Sequence, residues 1–166
     1  MLSMQYTNKD IRRQDRLLNE NVAVRLLQGG EYGVLSMQAE KGGGYGLPIS
    51  YVWDGEQAIY LHCALEGRKI ALLKLNSEVS FCVVGNTNVI PNEFTTEYQS
   101  VVIECKASLD LQIEEKTKAL RLLIEKYSPN DIEIGMKYIS KSFDRTQVIK
   151  LSVGNWSGKS KLMKNS

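Results

Sequence analysis

With 166 residues, 43% of them hydrophobic and 24% charged, the chain has the size and composition of one soluble domain with a real core. A net charge of +2 is too small to point to nucleic acid, and no basic run is interleaved with aromatics. No apolar run approaches the roughly 20 residues that span a bilayer, and the start MLSMQYTNKDIRRQDR turns polar too soon for a signal peptide, so a cytoplasmic protein with no membrane contact is expected.

Residues 8–28 read as helical in two pieces. The first carries Ile11, Leu17 and Leu18; the second follows an Asn19 cap, carries Val22, Leu26 and Leu27, and ends at Gly29-Gly30. A run of strands comes next. Glu31–Met37 is the first, Glu40–Gly44 a glycine-rich turn, and Tyr45–Trp53 the second, closed by an Asp54-Gly55 hairpin turn. In the third, Ile59, Leu61 and Cys63 fall on one face and Tyr60, His62 and Ala64 on the other.

Gly67 then permits a sharp turn into a helix that runs to Asn76, and Arg68 and Lys69 stand in its first turn. Cations there oppose the helix dipole. They make sense beside free N–H groups if an anion, usually phosphate, sits among them. A solvated basic turn partly neutralised by Glu66 is the alternative.

The fourth strand, Glu78–Gly85, is apolar on both faces and is expected to be covered on both. Asn86–Glu97 is a polar loop too long for a hairpin. Tyr98–Leu109 is the fifth strand. Asp110 is placed to cap a helix whose Ile113, Leu120, Ile124 and Tyr127 recur along one face, and Ser128-Pro129-Asn130 breaks it. Asp131–Ser140 reads as a short helix and Thr146–Val153 as the sixth strand. Six strands with mostly hairpin connections describe a mainly β chain with flanking helices, a small antiparallel barrel filled by its own side chains. A ligand must then lie on the outer wall or at a subunit interface.

Cys63, Cys82 and Cys105 are odd in number and far apart, and read as reduced thiols in apolar strands. His62 is the one histidine, so neither a metal site nor a Ser-His-Asp triad has much to build on.

The segments GEYGVLSM (30–37), YGLPISYVWDG (45–55), IYLHCALEGRKI (59–70), SEVSFCVVG (77–85), TTEYQSVVIECKA (95–107) and VIKLSVGNWSGKS (148–160), in this order, resemble the pyridoxamine-phosphate-oxidase-like flavoproteins, most of all their nitroimidazole-resistance (NimA-like) type. The resemblance runs from about Arg12 to Lys161. It implies a single FMN-binding split-barrel domain over 1–166, with 1–10 and 160–166 as flexible ends, in a homodimer with FMN at the subunit interface. It places the FMN phosphate at Gly67, Arg68 and Lys69 and the ring along Leu47, Pro48, Ile49 and Ser50 and across His62, Cys63 and Ala64. Thr95, Thr96 and Tyr98 would close the site, and Trp156 would stack near the flavin from the partner subunit. Pro48, lacking an N–H, should sit where no ladder partner is required.

His62 is the catalytic residue the resemblance implies, supplying a proton or orienting an anionic substrate. A satisfied structural histidine is the plainer reading. The expected activity is an FMN-dependent oxidoreductase that reduces nitro-aromatic or other small flat acceptors. Without a GxGxxG fingerprint, a reduced donor such as NAD(P)H would dock transiently. Pyridoxamine 5′-phosphate oxidation is an alternative, but the tail NWSGKSKLMKNS lacks the arginine-containing substrate motif of those oxidases. A non-enzymatic flavin-binding or flavin-sensing module is the alternative of another class.

Overall fold

Alternation of side chains divides each long strand between an inner and an outer wall. On the fourth predicted strand Val79, Phe81 and Val83 are buried, while Ser80 and Cys82 lie half-buried on the other side. A computed structural model describes residues 4–162. Its order is β1 (Gln5–Tyr6), a 3-10 turn (Gln14–Arg16), α1 (Glu20–Gly29), β2 (Tyr32–Gln38), β3 (Gly44–Trp53), β4 (Ala58–Ala64), α2 (Arg68–Leu75), β5 (Glu78–Val84) and β6 (Asn88–Ile90). Then follow β7 (Thr95–Ser108), α3 (Ile113–Tyr127), α4 (Ile132–Ser142) and β8 (Thr146–Lys161).

Six strands close a ring in the order β8-β4-β3-β2-β5-β7, with β7 returning to β8, and every pairing in the ring is antiparallel. This is the split-barrel fold, mainly β with flanking helices. β1 adds a parallel pair to β8, and β6 folds back on the start of β7. The interior is packed by Leu35, Tyr51, Ile59, Leu61, Phe81, Ile103, Ile149 and Leu151, with Tyr51 and Phe81 edge to face at 5.0 Å. Helices α1 and α2 close it through Ala23 and Leu27, and Ile70, Leu72 and Leu73. A second, smaller core lies outside the ring, where Val52, Ala58, Tyr60 and Val148 meet Ala119, Leu120 and Leu123 of α3 and Ile139 of α4. Among the described residues no helix is long and apolar enough to cross a membrane.

Several expectations need correcting. Only the second N-terminal piece is an α-helix, capped by Asn19, whose Oδ1 accepts from Asn21 N at 3.0 Å. Leu17 instead bridges to Lys159, and Leu18 N donates to Gly158 O, so that segment lies along β8 rather than coiling. Asp110 does not cap α3; Gln112 holds that position without a side-chain bond. The loop after β5 contains β6, and β7 starts at Thr95.

The sixth predicted strand runs on to Lys161 because a β-bulge breaks its alternation. Cys105 faces Val153 and Ile103 faces Trp156, so Gly154-Asn155 stand opposite Glu104 alone. The outer face of β5 is not covered within this chain, since Val84 is 54% exposed. The ends expected to be flexible are partly in the sheet, Gln5–Tyr6 on Asn155–Trp156 and Ser160–Lys161 on Gln99 and Tyr98. Residues 1–3 and 163–166 lie outside those described.

Candidate active site

The ring is tied unevenly between β3 and β4. They pair only through Tyr51–Leu61, Val52–Tyr60 and Trp53–Ile59. Yet β3 continues with β2 as far as Gly44, and β4 continues with β8 as far as Ala64. Gly44–Ser50 and His62–Ala64 therefore border a gap in which neither strand has the other for a ladder partner. Pro48 lies in this stretch, where its missing N–H deprives β4 of nothing. Leu47, Ile49 and Cys63 turn toward the barrel core, whereas Pro48, Ser50, His62 and Ala64 point outward.

Gly67, at φ 130°, sets the turn from β4 into α2 in a region where a side chain would be strained. It offers no side chain to cap the helix, so the first-turn N–H groups stay open to an anion. The Arg68 guanidinium stacks over the Tyr45 ring at 4.2 Å. Burial raises the pKa of the Cys63 thiol, outweighing the opposing pull of the Lys69 charge. His62 stands exposed on the outer wall, and its pKa is lowered first by partial desolvation and then by Lys69.

Helix α3 is fixed over this wall by three polar ties. Past the last β2 pair, Tyr32–Ser50, Tyr51 still pairs with Leu61 of β4 but has no strand on its β2 side. Tyr127 Oη fills that place, accepting from Tyr51 N at 2.9 Å and lying 2.8 Å from Tyr51 O. Lys126 Nζ donates to Tyr51 O at 2.9 Å and Gly30 O at 2.7 Å, over the Tyr51 ring, and burial pushes its pKa down to about 8. Lower on the helix, Glu115 accepts from Lys150 at 2.6 Å and from the Tyr60 hydroxyl at 2.9 Å; the Lys150 bond comes first in lowering its pKa. Gly135 lets α4 approach α3, since a Cβ there would stand 2.7 Å from Ile124.

Between wall and helices a cavity of about 710 Å³ opens. Ser50, His62 and Thr146 form its barrel side, Leu120, Leu123, Ile124 and Tyr127 come from α3, and Ile134, Tyr138 and Ile139 from α4. Ser128, Asp131, Gly135 and Ser142 complete it.

The structure thus brings Pro48, Ser50, His62 and Ala64 to one wall, with Gly67, Arg68 and Lys69 at the end of the same strand. Thr95, Thr96 and Tyr98 stand apart. Tyr98 pairs with Lys161 at one end of β8, while Ala64 pairs with Thr146 at the other. Sixteen residues at roughly 3.3 Å each make about 50 Å of strand path between them. Trp156 is 2% exposed and edge-on to Tyr6 at 4.8 Å, so its ring packs in this chain's own core. Sequence reasoning missed Tyr45, Ile134 and Tyr138. The four-residue spacing of the last two on a short helix was the available signal.

The family model described as pyridoxamine 5′-phosphate oxidase matches residues 19–160. No curated protein matches the chain. A candidate 5-nitroimidazole antibiotic resistance protein from Bacteroides thetaiotaomicron is similar in structure at 17% identity, covering 87% of this chain and 86% of that one, with a TM-score of 0.71. An FAD- and heme-binding protein from Mycobacterium smegmatis is similar at 16% identity, over 92% and 77%, with a TM-score of 0.75. An FAD-binding protein from Mesorhizobium loti is similar at 17% identity, over 89% and 98%, with a TM-score of 0.63. At these identities the likeness is one of fold.

Proposed function

The chain belongs to the pyridoxamine 5′-phosphate oxidase family, and from that premise we propose that it is an FMN-dependent oxidoreductase passing electrons to small flat acceptors of the nitro-aromatic kind. The observation that carries this reading is the gap between β3 and β4 with a doubly cationic turn at its end. The residues there fit the cofactor. Arg68, Lys69 and the open N–H groups of α2 suit a phosphate. Leu47–Ser50 pair with β2 and His62–Ala64 with β8, and the backbone groups they turn toward the gap suit the polar edge of a flavin ring. When bound, the flavin supplies the electron-transfer chemistry.

The chain's own residues hold and orient. Above its ordinary pKa of 6.5 the His62 imidazole is neutral and presents one N–H and one lone pair. That N–H is the donor for a polar group on the acceptor, and exposure lets it exchange protons with solvent. The Ser50 hydroxyl faces the same space. Leu123 and Ile139, both buried, give it an apolar wall on one side.

A homodimer belongs to the proposal. Thr95, Thr96 and Tyr98 can meet the flavin only from a second copy, and the exposed Val84, Val102 and Phe94 are apolar surface for such a contact. A phosphorylated amine is a poorer substrate for this cavity, because none of its lining residues is Lys or Arg.

The test is a visible absorption spectrum of purified protein before and after adding FMN, with the released cofactor weighed by mass spectrometry. A flavin spectrum and the mass of FMN support the reading; the mass of FAD corrects the cofactor; a colourless protein that ignores FMN sinks it. Steady turnover of NAD(P)H with a nitro-aromatic then separates an enzyme from a flavin-binding module.

A further inference from the structure

From the α3–α4 cavity we infer an acceptor site for uncharged aromatic molecules of two or more fused rings, rather than for a single ring or an anion. For the acceptor's role this rests on the flavin reading above; the binding itself does not. The volume of about 710 Å³ lies in the range of roughly 300–1,000 Å³ that holds drug-sized ligands, well beyond one small ring.

The helical walls are mostly apolar. Leu120, Leu123 and Ile124 line one flank and Ile134 and Tyr138 the other, with Ser128, Asp131 and Ser142 as the small polar residues there, while Ser50, His62 and Thr146 face them from the barrel. Ile134 is 67% and Tyr138 73% exposed, four residues apart on α4, so two large side chains that do nothing for the core stand at this cavity. The charge pattern narrows the ligand further. Asp131 is the one carboxylate in the lining, and no Lys or Arg accompanies it. An anion entering would lose hydration with no cation to replace it, at a cost a neutral molecule escapes.

Equilibrium dialysis of purified protein, with and without added FMN, against nitrobenzene, 1-nitronaphthalene and a sulfonated nitronaphthalene tests this. The expected result is that 1-nitronaphthalene binds at least tenfold more tightly than either of the others. Ile134→Glu and Tyr138→Glu, both at exposed positions, should each weaken it at least tenfold while leaving FMN affinity unchanged. Ile113→Glu, an equally exposed apolar position outside the cavity, is the control and should change neither. Equal binding of the three compounds, or wild-type binding by Ile134→Glu, overturns the inference. So does a wild type that binds no nitronaphthalene but dissociates from dimer to monomer on Ile134→Glu, which gives the groove to a second copy. Nitronaphthalene binding with no FMN binding keeps this inference and fails the flavin reading, so the two failures are distinguishable.

Discussion

The two faces of β3, β4 and β8 share a backbone and have opposite fates. Inward, Tyr51, Ile59, Leu61, Ile149 and Leu151 are fully buried. Outward, Val52, Tyr60 and Val148 are sealed under α3, but Ser50, His62 and Thr146 along the same strands are left at an open cavity. Alternation assigns residues to faces, while the covering helices decide which outward residues become core and which remain for chemistry. The inner wall should therefore carry stability and the outer wall binding and turnover, and four measurements can break that division.

The largest effect belongs inside. Phe81→Ala removes a fully buried ring and should cost about 3–5 kcal/mol, read from the denaturant midpoint. A loss below about 1 kcal/mol would mean that the barrel interior is not what holds the fold. Next, on the outer wall, replacing Arg68 and Lys69 together by alanine should weaken FMN binding about 100-fold, near 2.7 kcal/mol, since charge-assisted bonds to phosphate are worth roughly 1.5–3 kcal/mol each before solvent screening. Unchanged affinity would move the phosphate elsewhere.

His62→Ala should retain FMN and lose about 100-fold in kcat, the low end for a positioned proton-transfer group. Because its pKa is lowered, wild-type kcat/KM should be flat above pH 6.5 and decline only below, as the imidazole charges. Intact turnover in His62→Ala would leave that residue without a catalytic role.

Smallest, once solvent screening of this half-buried amine is allowed for, is the effect of Lys126, which ties α3 to β3. Lys126 has a folded pKa of about 8 against an ordinary 10.5, so from about pH 8 to 10.5 the unfolded chain binds more protons and stability must rise with pH. Relative to Lys126→Met, the wild type should gain stability across that window. Parallel pH curves for the two would show that the amine is as solvated folded as unfolded.

The same comparison separates what was legible in the sequence from what was not. Faces were legible: Ile59, Leu61 and Cys63 against Tyr60, His62 and Ala64 stand as alternation placed them. The basic turn was legible because Gly67, Arg68 and Lys69 are contiguous. Covering was not. Ile113, which helical periodicity put on the apolar stripe of α3, is 69% exposed, since the helix meets the wall mainly from Ala119 onward. The cavity depends on where α4 stops against α3, which is a matter of Gly135 on Ile124 rather than of local pattern. The burial of Trp156 was not legible because it needs β1, and two residues, Gln5 and Tyr6, carry no readable periodicity. The bulge at Gly154-Asn155 hid the second half of β8 by shifting the phase of its alternation.

That long strand has a consequence for synthesis. β8 is the element on which β4, β7 and β1 all pair, and it is the last strand of the ring in chain order. As the chain leaves the ribosome, hairpins up to β7 can form, but the ring stays open until residues 146–161 emerge. Through that interval β4 and β7 each present a bare edge, the kind that pairs with other chains. Closure then joins β4 to a segment more than eighty residues away in sequence, as Ala64 to Thr146, an entropically slow step. The nascent protein is therefore most exposed to aggregation in the interval before β8 emerges, and a chain cut short of β8 should be insoluble rather than merely inactive.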